Sequence, residues 1–197
     1  MVDYSLNEVF KKYLNKTYTK EEMRKVYGPS EDGIVLNEVG EANFKNAFYD
    51  YLKIYESHHE ELLKDFFPGI RELLMDLKNR GINVYLLTGR CKESLMISLT
   101  KLNAFDYFKS VTTGKIKGAC KDELFLDFMK EYNLEKEDLI YIGESTHDIK
   151  HSKMVGIDVI SVSYNEPESF NKLNSLNENN VAQSVDELKI LLNKYLD

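Results

Sequence analysis

Residues 139–156, LIYIGESTHDIKHSKMVG, limit the fold of this chain more than any other stretch. Leu139, Ile140, Tyr141 and Ile142 form a short apolar run that stops at Gly143, the pattern of a buried strand. A polar turn comes next. Ile149, Met154 and Val155 then share one side of a segment that ends at Gly156, which predicts a helix closed by a glycine. Glu144 and Asp148 fall where strand passes into helix. In an open α/β sheet such turns lie at the carboxyl edge of the strands, where ligands bind. Two acids four residues apart around that turn have two readings. They hold a hard divalent cation such as Mg²⁺, which takes oxygen ligands, or they cap the helix in a solvated loop.

The 197 residues suffice for one α/β domain and a small accessory domain. With 43% hydrophobic and 30% charged residues the chain matches a soluble globular protein. A net charge of -7 argues against a nucleic-acid surface, because phosphate backbones need a basic face. No apolar run reaches the length of a membrane span, and the first residues lack the basic-then-apolar pattern of a secretion signal. Cys91 and Cys120 make neither a disulfide framework nor a zinc site, and read as reduced thiols in a cytoplasmic protein.

Residues 4–63 are expected to be helical throughout. Leu6, Val9, Phe10, Tyr13 and Leu14 recur at helical spacing, and Thr19 with Glu22 makes a capping box ahead of Met23. Phe44, Ala47, Phe48, Tyr51, Leu52 and Tyr55 form an aromatic stripe read as core. His58 and His59 have no metal-ligand spacing with other residues and read as a solvated helix face. After residue 65 the pattern alternates. A helix opens at Pro68-Gly69 and ends at Gly81, and an apolar strand over 82–87 stops at Thr88. A helix carries Leu95 and Leu99, and a short strand contains Val111. A helix begins after Lys121, the 139–156 unit comes next, and then a strand over 157–162. Residues 165–180 read as loop, and Ser184 with Glu187 caps a last helix. Strands alternating with helices predict an α/β fold, a Rossmann-like parallel sheet with helices on both faces. The division expected is a helical domain over 1–64 and an α/β core over 65–197.

Three strand-end features line up on that reading. Thr88 offers a hydroxyl donor, Lys121 an ammonium just ahead of a helix, and Glu144 with Asp148 a pair of acids. A donor, a cation and metal-binding acids at one sheet edge are the parts that phosphoryl transfer places around charged oxygens.

FFPGIRELLMDLKNRGINVYLLTGR, CKDELFLDFMKEYNL and YIGESTHDIKHSKMVGI together resemble the second, third and fourth motifs of the haloacid dehalogenase superfamily. The likeness is to its phosphoglycolate-phosphatase-like branch and covers nearly the whole chain, with the segment to about residue 64 similar to the family's helical cap. The resemblance implies catalytic roles for Thr88 and Lys121 and phosphate binding by Thr88, Gly89 and Lys121. Lys117 is the alternative lysine, because the family's Lys-Pro form is absent. It also implies Mg²⁺ held by Glu144 and Asp148, with Glu144 standing where the family has Asp. The family's first motif, an apolar strand ending Asp-x-Asp-Gly-Thr that carries the nucleophile, has no counterpart. Met1-Val2-Asp3-Tyr4-Ser5 resembles the segment just downstream of that motif, so neither the nucleophile nor the general acid/base is present. In the family this strand lies centrally. Its absence leaves a start downstream of the true one, strands that close up without it, or a strand from another chain.

The resemblance thus implies a Mg²⁺-dependent phosphohydrolase of a small phosphorylated metabolite using an aspartyl-phosphate mechanism. The alternative is an inactive relative that binds phosphate or a metabolite. For this chain alone, without the missing strand, self-association through an open sheet edge is one expected consequence.

Overall fold

The computed structural model of the chain describes residues 1–118, 121–164 and 166–196. Cys120 and Asn165, by sequence a thiol and a loop residue, lie outside the described residues. The chain forms two compact units, residues 1–66 with 77–119 and residues 67–76 with 120–197.

The first unit begins with five helices: α1 (Val2–Leu14), α2 (Lys20–Val26), α3 (Glu31–Val39), α4 (Glu41–Ser57) and α5 (His59–Leu62). The helical spacing of Leu6, Val9 and Phe10 brings all three to full burial, against Ile34, Val35 and Tyr51 of the later helices. Asn15 ends α1 in the left-handed region at φ 51°, a conformation asparagine tolerates better than most residues. Thr19 and Glu22 close the expected capping box on α2. Tyr51 and Tyr55 of the aromatic stripe are buried, as a core stripe requires. His59 differs from the expectation of a solvated face. It is 1% exposed, with Nε2 3.1 Å from Ser98 Oγ, because the chain turns at His58 and α5 packs its first residue inward.

Helix α6 (Ile70–Asn79) is followed by β1 (Tyr85–Leu87), α7 (Lys92–Lys101) and β2 (Ser110–Thr112). The strand expected over 82–87 is shorter at its start. Gly81 adopts φ 74° and the Ile82 N–H donates to the Leu77 carbonyl at 2.9 Å, so Ile82 closes the helix instead of entering the sheet. Strands β1 and β2 pair in parallel, Leu86 opposite Val111. Leu95, Leu99 and Ala104 pack beneath them with Leu86 and Val111.

The second unit contains α8 (Lys121–Tyr132), β3 (Ile140–Gly143), α9 (Thr146–Val155), β4 (Asp158–Val162), α10 (Phe170–Asn174), β5 (Val181–Ala182) and α11 (Val185–Leu196). Its strands run parallel in the order β3–β4–β5. Gly156 closes α9 at φ 79°, as its sequence predicts. Residues 165–180 are not all loop. The short α10 forms because Leu173 is buried against Ile149, Val159 and Val181. Asn177 is buried too, its Nδ2 donating to the Val159 and Asn180 carbonyls. The Glu187 N–H donates to Ser184 Oγ at 3.1 Å, the cap expected for α11.

The architecture is an α/β core of parallel strands flanked by helices, with a small all-helical cap. No helix among the described residues is long and apolar enough to cross a membrane.

Buried His59 carries a pH dependence. Burial and the nearby Arg90 guanidinium hold its pKa below the ordinary value. The unfolded chain therefore binds a proton near pH 6.5 that the folded chain takes up only at lower pH. Stability should be full above about pH 6.5 and should fall as pH drops below it. Denaturant midpoints measured across this range should decline for the native chain and decline less for His59→Gln; equal slopes would contradict the assignment.

Candidate active site

The turn from β3 into α9 is built around one carboxylate. Ser145 is the N-cap of α9 and forms a capping box with Asp148, the Asp148 N–H donating to Ser145 Oγ at 3.2 Å. In return Asp148 Oδ2 accepts from the Glu144 N–H at 3.0 Å, the Ser145 N–H at 2.9 Å and the Ser145 hydroxyl at 2.8 Å. The pattern Ser-x-x-Asp ahead of an apolar residue is the sequence signal for this box. Gly143 makes room for it. A Cβ there would lie 2.5 Å from the Asp148 Cβ, closer than side chains pack.

Asp148 Oδ1 faces Lys121, whose ammonium donates to it and, at 2.8 Å, to the Tyr141 hydroxyl. Tyr141 is held in turn by Phe125, edge to face at 4.8 Å. Burial alone would push the Asp148 carboxyl up, but Lys121 and the Ser145 donors outweigh it and hold the pKa below the usual carboxylate range. Burial likewise opposes charge on Lys121, and Tyr141 with Asp148 reverses that, leaving its pKa raised. Both groups therefore stay ionised near neutral pH. Tyr141 is not among the sequence candidates, although its place between two apolar strand residues puts its ring at the core.

Of the two candidate lysines, Lys121 has these buried partners, whereas Lys117 is an exposed residue of the turn after β2. The Glu144 side chain is exposed, and its backbone amide belongs to the Asp148 shell. Among the described residues no group of three or more histidines, cysteines and acids is arranged to hold a metal. Asp148 already accepts from five donors, more than the roughly four lone-pair sites of a carboxylate. As arranged, these residues do not fit direct coordination of Mg²⁺ by Asp148.

Thr88 and Gly89 belong to the first unit. The Thr88 N–H extends the β1–β2 pairing to the Thr112 carbonyl at 3.0 Å, and its Oγ1 accepts from the Arg90 N–H at 3.3 Å. The Gly114 N–H donates to the Arg90 carbonyl at 2.8 Å. A Cβ on Gly114 would come within 2.1 Å of the Gly89 carbonyl oxygen, so the close approach of these two turns requires glycine.

Next to this turn lies a polar cluster that no sequence motif announces. Glu31 accepts from Arg90 Nε at 3.1 Å, Ser94 Oγ at 2.9 Å, Tyr51 OH at 3.3 Å and the Cys91 N–H. Arg90 also reaches Ser98 Oγ at 3.3 Å and lies 4.9 Å from the Tyr55 ring centroid. Burial and the Glu31 charge push the Cys91 thiol up to about 12, so it is held as an unreactive thiol.

Comparison with known proteins agrees with this arrangement of elements. Residues 2–162 match the model of the family described as haloacid dehalogenase-like hydrolase. A phosphoglycolate phosphatase of Pseudomonas syringae pathovar tomato is 25% identical over 161 residues, covering 81% of this chain and 57% of that protein. A phosphorylated carbohydrates phosphatase of Thermotoga maritima is 29% identical over 154 residues, covering 74% of this chain and 69% of its own. The chain thus spans little more than half the length of the Pseudomonas relative. A haloacid dehalogenase-type hydrolase of Entamoeba histolytica has the same fold, with a TM-score of 0.76 at 13% identity over 100% of this chain and 92% of that one. With four fifths of its length matched by the family model, the chain belongs to the haloacid dehalogenase superfamily, in its phosphoglycolate-phosphatase-like branch with a helical cap.

Proposed function

We propose that this chain acts in the hydrolysis of a phosphate monoester of a small metabolite. In this reading Thr88, Gly89 and Lys121 hold the phosphoryl oxygens, and residues 1–64 act as the cap over a core of residues 65–197. The observation that carries it is Lys121. An ammonium that is three-quarters buried at the carboxyl end of a parallel strand stays charged because Asp148 and Tyr141 are beside it. The contacts described account for two of its three donors, and the third suits an anionic oxygen. The names of the relatives support the same class of substrate, a phosphorylated small carbon compound. Net charge and cysteine usage support a cytoplasmic protein that does not bind nucleic acid.

The aspartyl-phosphate mechanism of the family requires a carboxylate nucleophile, and no described residue is assigned that role. Mg²⁺ belongs to the same family reading, with Glu144 as the exposed acid and Asp148 behind it. The engagement of Asp148 as cap and ion-pair partner favours a second reading, a protein that binds phosphate or a phosphorylated metabolite without turning it over.

Two measurements separate these readings. Inorganic phosphate titrated into the chain should bind, and Lys121→Met should weaken it by about 10- to 100-fold, the worth of a hydrogen bond to a charged group. Thermal unfolding of the variant checks that it is folded. Unchanged phosphate affinity in a folded Lys121→Met would sink both. Hydrolysis of p-nitrophenyl phosphate with Mg²⁺, lost in Lys121→Met, would support the enzyme, and binding without turnover the second reading.

Self-association is proposed as well. Strands β1 and β3 each have one hydrogen-bonded neighbour among the described residues, and Ile142 of β3 is 38% exposed. Unblocked strand edges invite a second copy. Sedimentation should show a concentration-dependent dimer that Ile142→Lys shifts toward monomer. A chain that is monomeric at every concentration tested would remove this part of the proposal.

A further inference from the structure

Glu31 is the first residue of α3, yet its carboxylate serves another helix. Cys91 is the N-cap of α7 and makes no side-chain cap bond of its own. Glu31 Oε2 takes the Cys91 N–H instead, from 60 residues away, and Oε1 takes the hydroxyl of Ser94 in the first turn of α7. Taking the N–H of the N-cap residue is the task an acid at position 94, the third residue of α7, would perform locally in a capping box. A carboxylate at a helix N-terminus is also favoured by the helix dipole. Glu31 is 3% exposed, and a buried charge needs this many donors to be tolerated.

The same carboxylate fixes the turn that carries Thr88. One side of residues 88–91 is held by main chain, through Thr88 to Thr112 and Gly114 to Arg90. The other side is held by Glu31, which bonds both the Arg90 side chain and the Cys91 amide. The Arg90 N–H is in turn the donor to the Thr88 hydroxyl oxygen. Helix α3 is itself seated firmly. The Ser30 N–H donates to the Lys115 carbonyl at 3.2 Å, and a Cβ on Gly33 would lie 2.0 Å from the Ile116 carbonyl oxygen.

We infer that Glu31 is a positioning residue for the 88–91 turn, setting the direction of the Thr88 hydroxyl through Arg90 and the Cys91 amide without touching substrate. The inference rests on the reading of Thr88 as a phosphate-binding group. Because the cap of α7 comes from α3, the geometry of that hydroxyl depends on how the helical segment is seated. An acid at position 94 would take the Cys91 N–H locally, without α3.

The test compares the native full chain with Glu31→Gln, Thr88→Val and the double variant. Amide hydrogen exchange at Cys91 should quicken by about tenfold or more in Glu31→Gln, the loss of one charge-assisted bond, while amides of α11 keep their rates. On p-nitrophenyl phosphate, Glu31→Gln should lower kcat/KM by about tenfold, and in the Thr88→Val background by much less, because both changes act through one hydroxyl. Glu31→Asp, which keeps the charge, should recover part of the loss.

Unchanged exchange at Cys91 overturns the inference. So do full, independent losses in the double variant, which would make Glu31 a purely structural residue. Should Glu31→Gln fail to fold, Arg90→Lys carries the same test, since lysine cannot bridge Glu31 and Ser98 with a planar fork. If the native chain neither hydrolyses the ester nor binds inorganic phosphate, the phosphatase reading falls, and the exchange measurement alone decides whether Glu31 holds the turn.

Discussion

The ion pair between Lys121 and Asp148 is the interaction on which the rest of the second unit's site depends. Removing two charges from water costs several kcal/mol each, and attraction between them offsets this only where the remaining hydrogen-bonding capacity is filled. Here it is filled. Asp148 takes two backbone N–H groups and a hydroxyl on one oxygen and Lys121 with Tyr141 on the other. Hydrogen bonds to charged groups are worth about 1.5–3 kcal/mol each, so this donor set can match the burial of the carboxylate. One side chain thereby starts α9, orders the turn after β3 and keeps Lys121 charged. Gly143 permits it by leaving the space a Cβ would take.

The first unit solves the same problem at a different turn. Glu31 is a second buried carboxylate, also at a helix N-terminus and also facing a cation, Arg90. There the carboxylate comes from a distant helix, whereas Asp148 caps its own. The difference has a physical consequence. The turn after β3 takes its capping bonds from residues within five positions of one another, and the turn after β1 takes part of its bonding from α3.

Most of the fold is legible in the residues. Helical spacing over 6–14 and 44–55, the Thr19–Glu22 box, the glycine at 156 and the apolar run at 139–142 each predict the element found. These signals are local, so short-range physics decides them. The family follows from the motifs around Thr88, Lys121 and Asp148, and the family match agrees. The illegible parts depend on contacts distant in sequence. His59 reads as solvated because nothing near it in the chain reveals that Ser98 covers it. Strand β5 has two residues, too few for a periodicity. Glu31 lies in a stretch that carries no pattern of its own, and its partners at the start of α7 are about 60 residues away. Asp148 carries both readings in the sequence, cation ligand and helix cap. The geometry displays the cap on one carboxylate oxygen and the Lys121 ion pair on the other.

A double-mutant cycle on folding stability tests the central claim most directly. Lys121→Met, Asp148→Asn and the double variant should be unfolded by denaturant beside the native chain. A coupling energy of about 1–3 kcal/mol is expected, as for charged groups in direct contact. The double variant should then be less destabilised than the two single losses together. Losses that add within about 0.5 kcal/mol would show that the two side chains act independently, and would contradict the site described here.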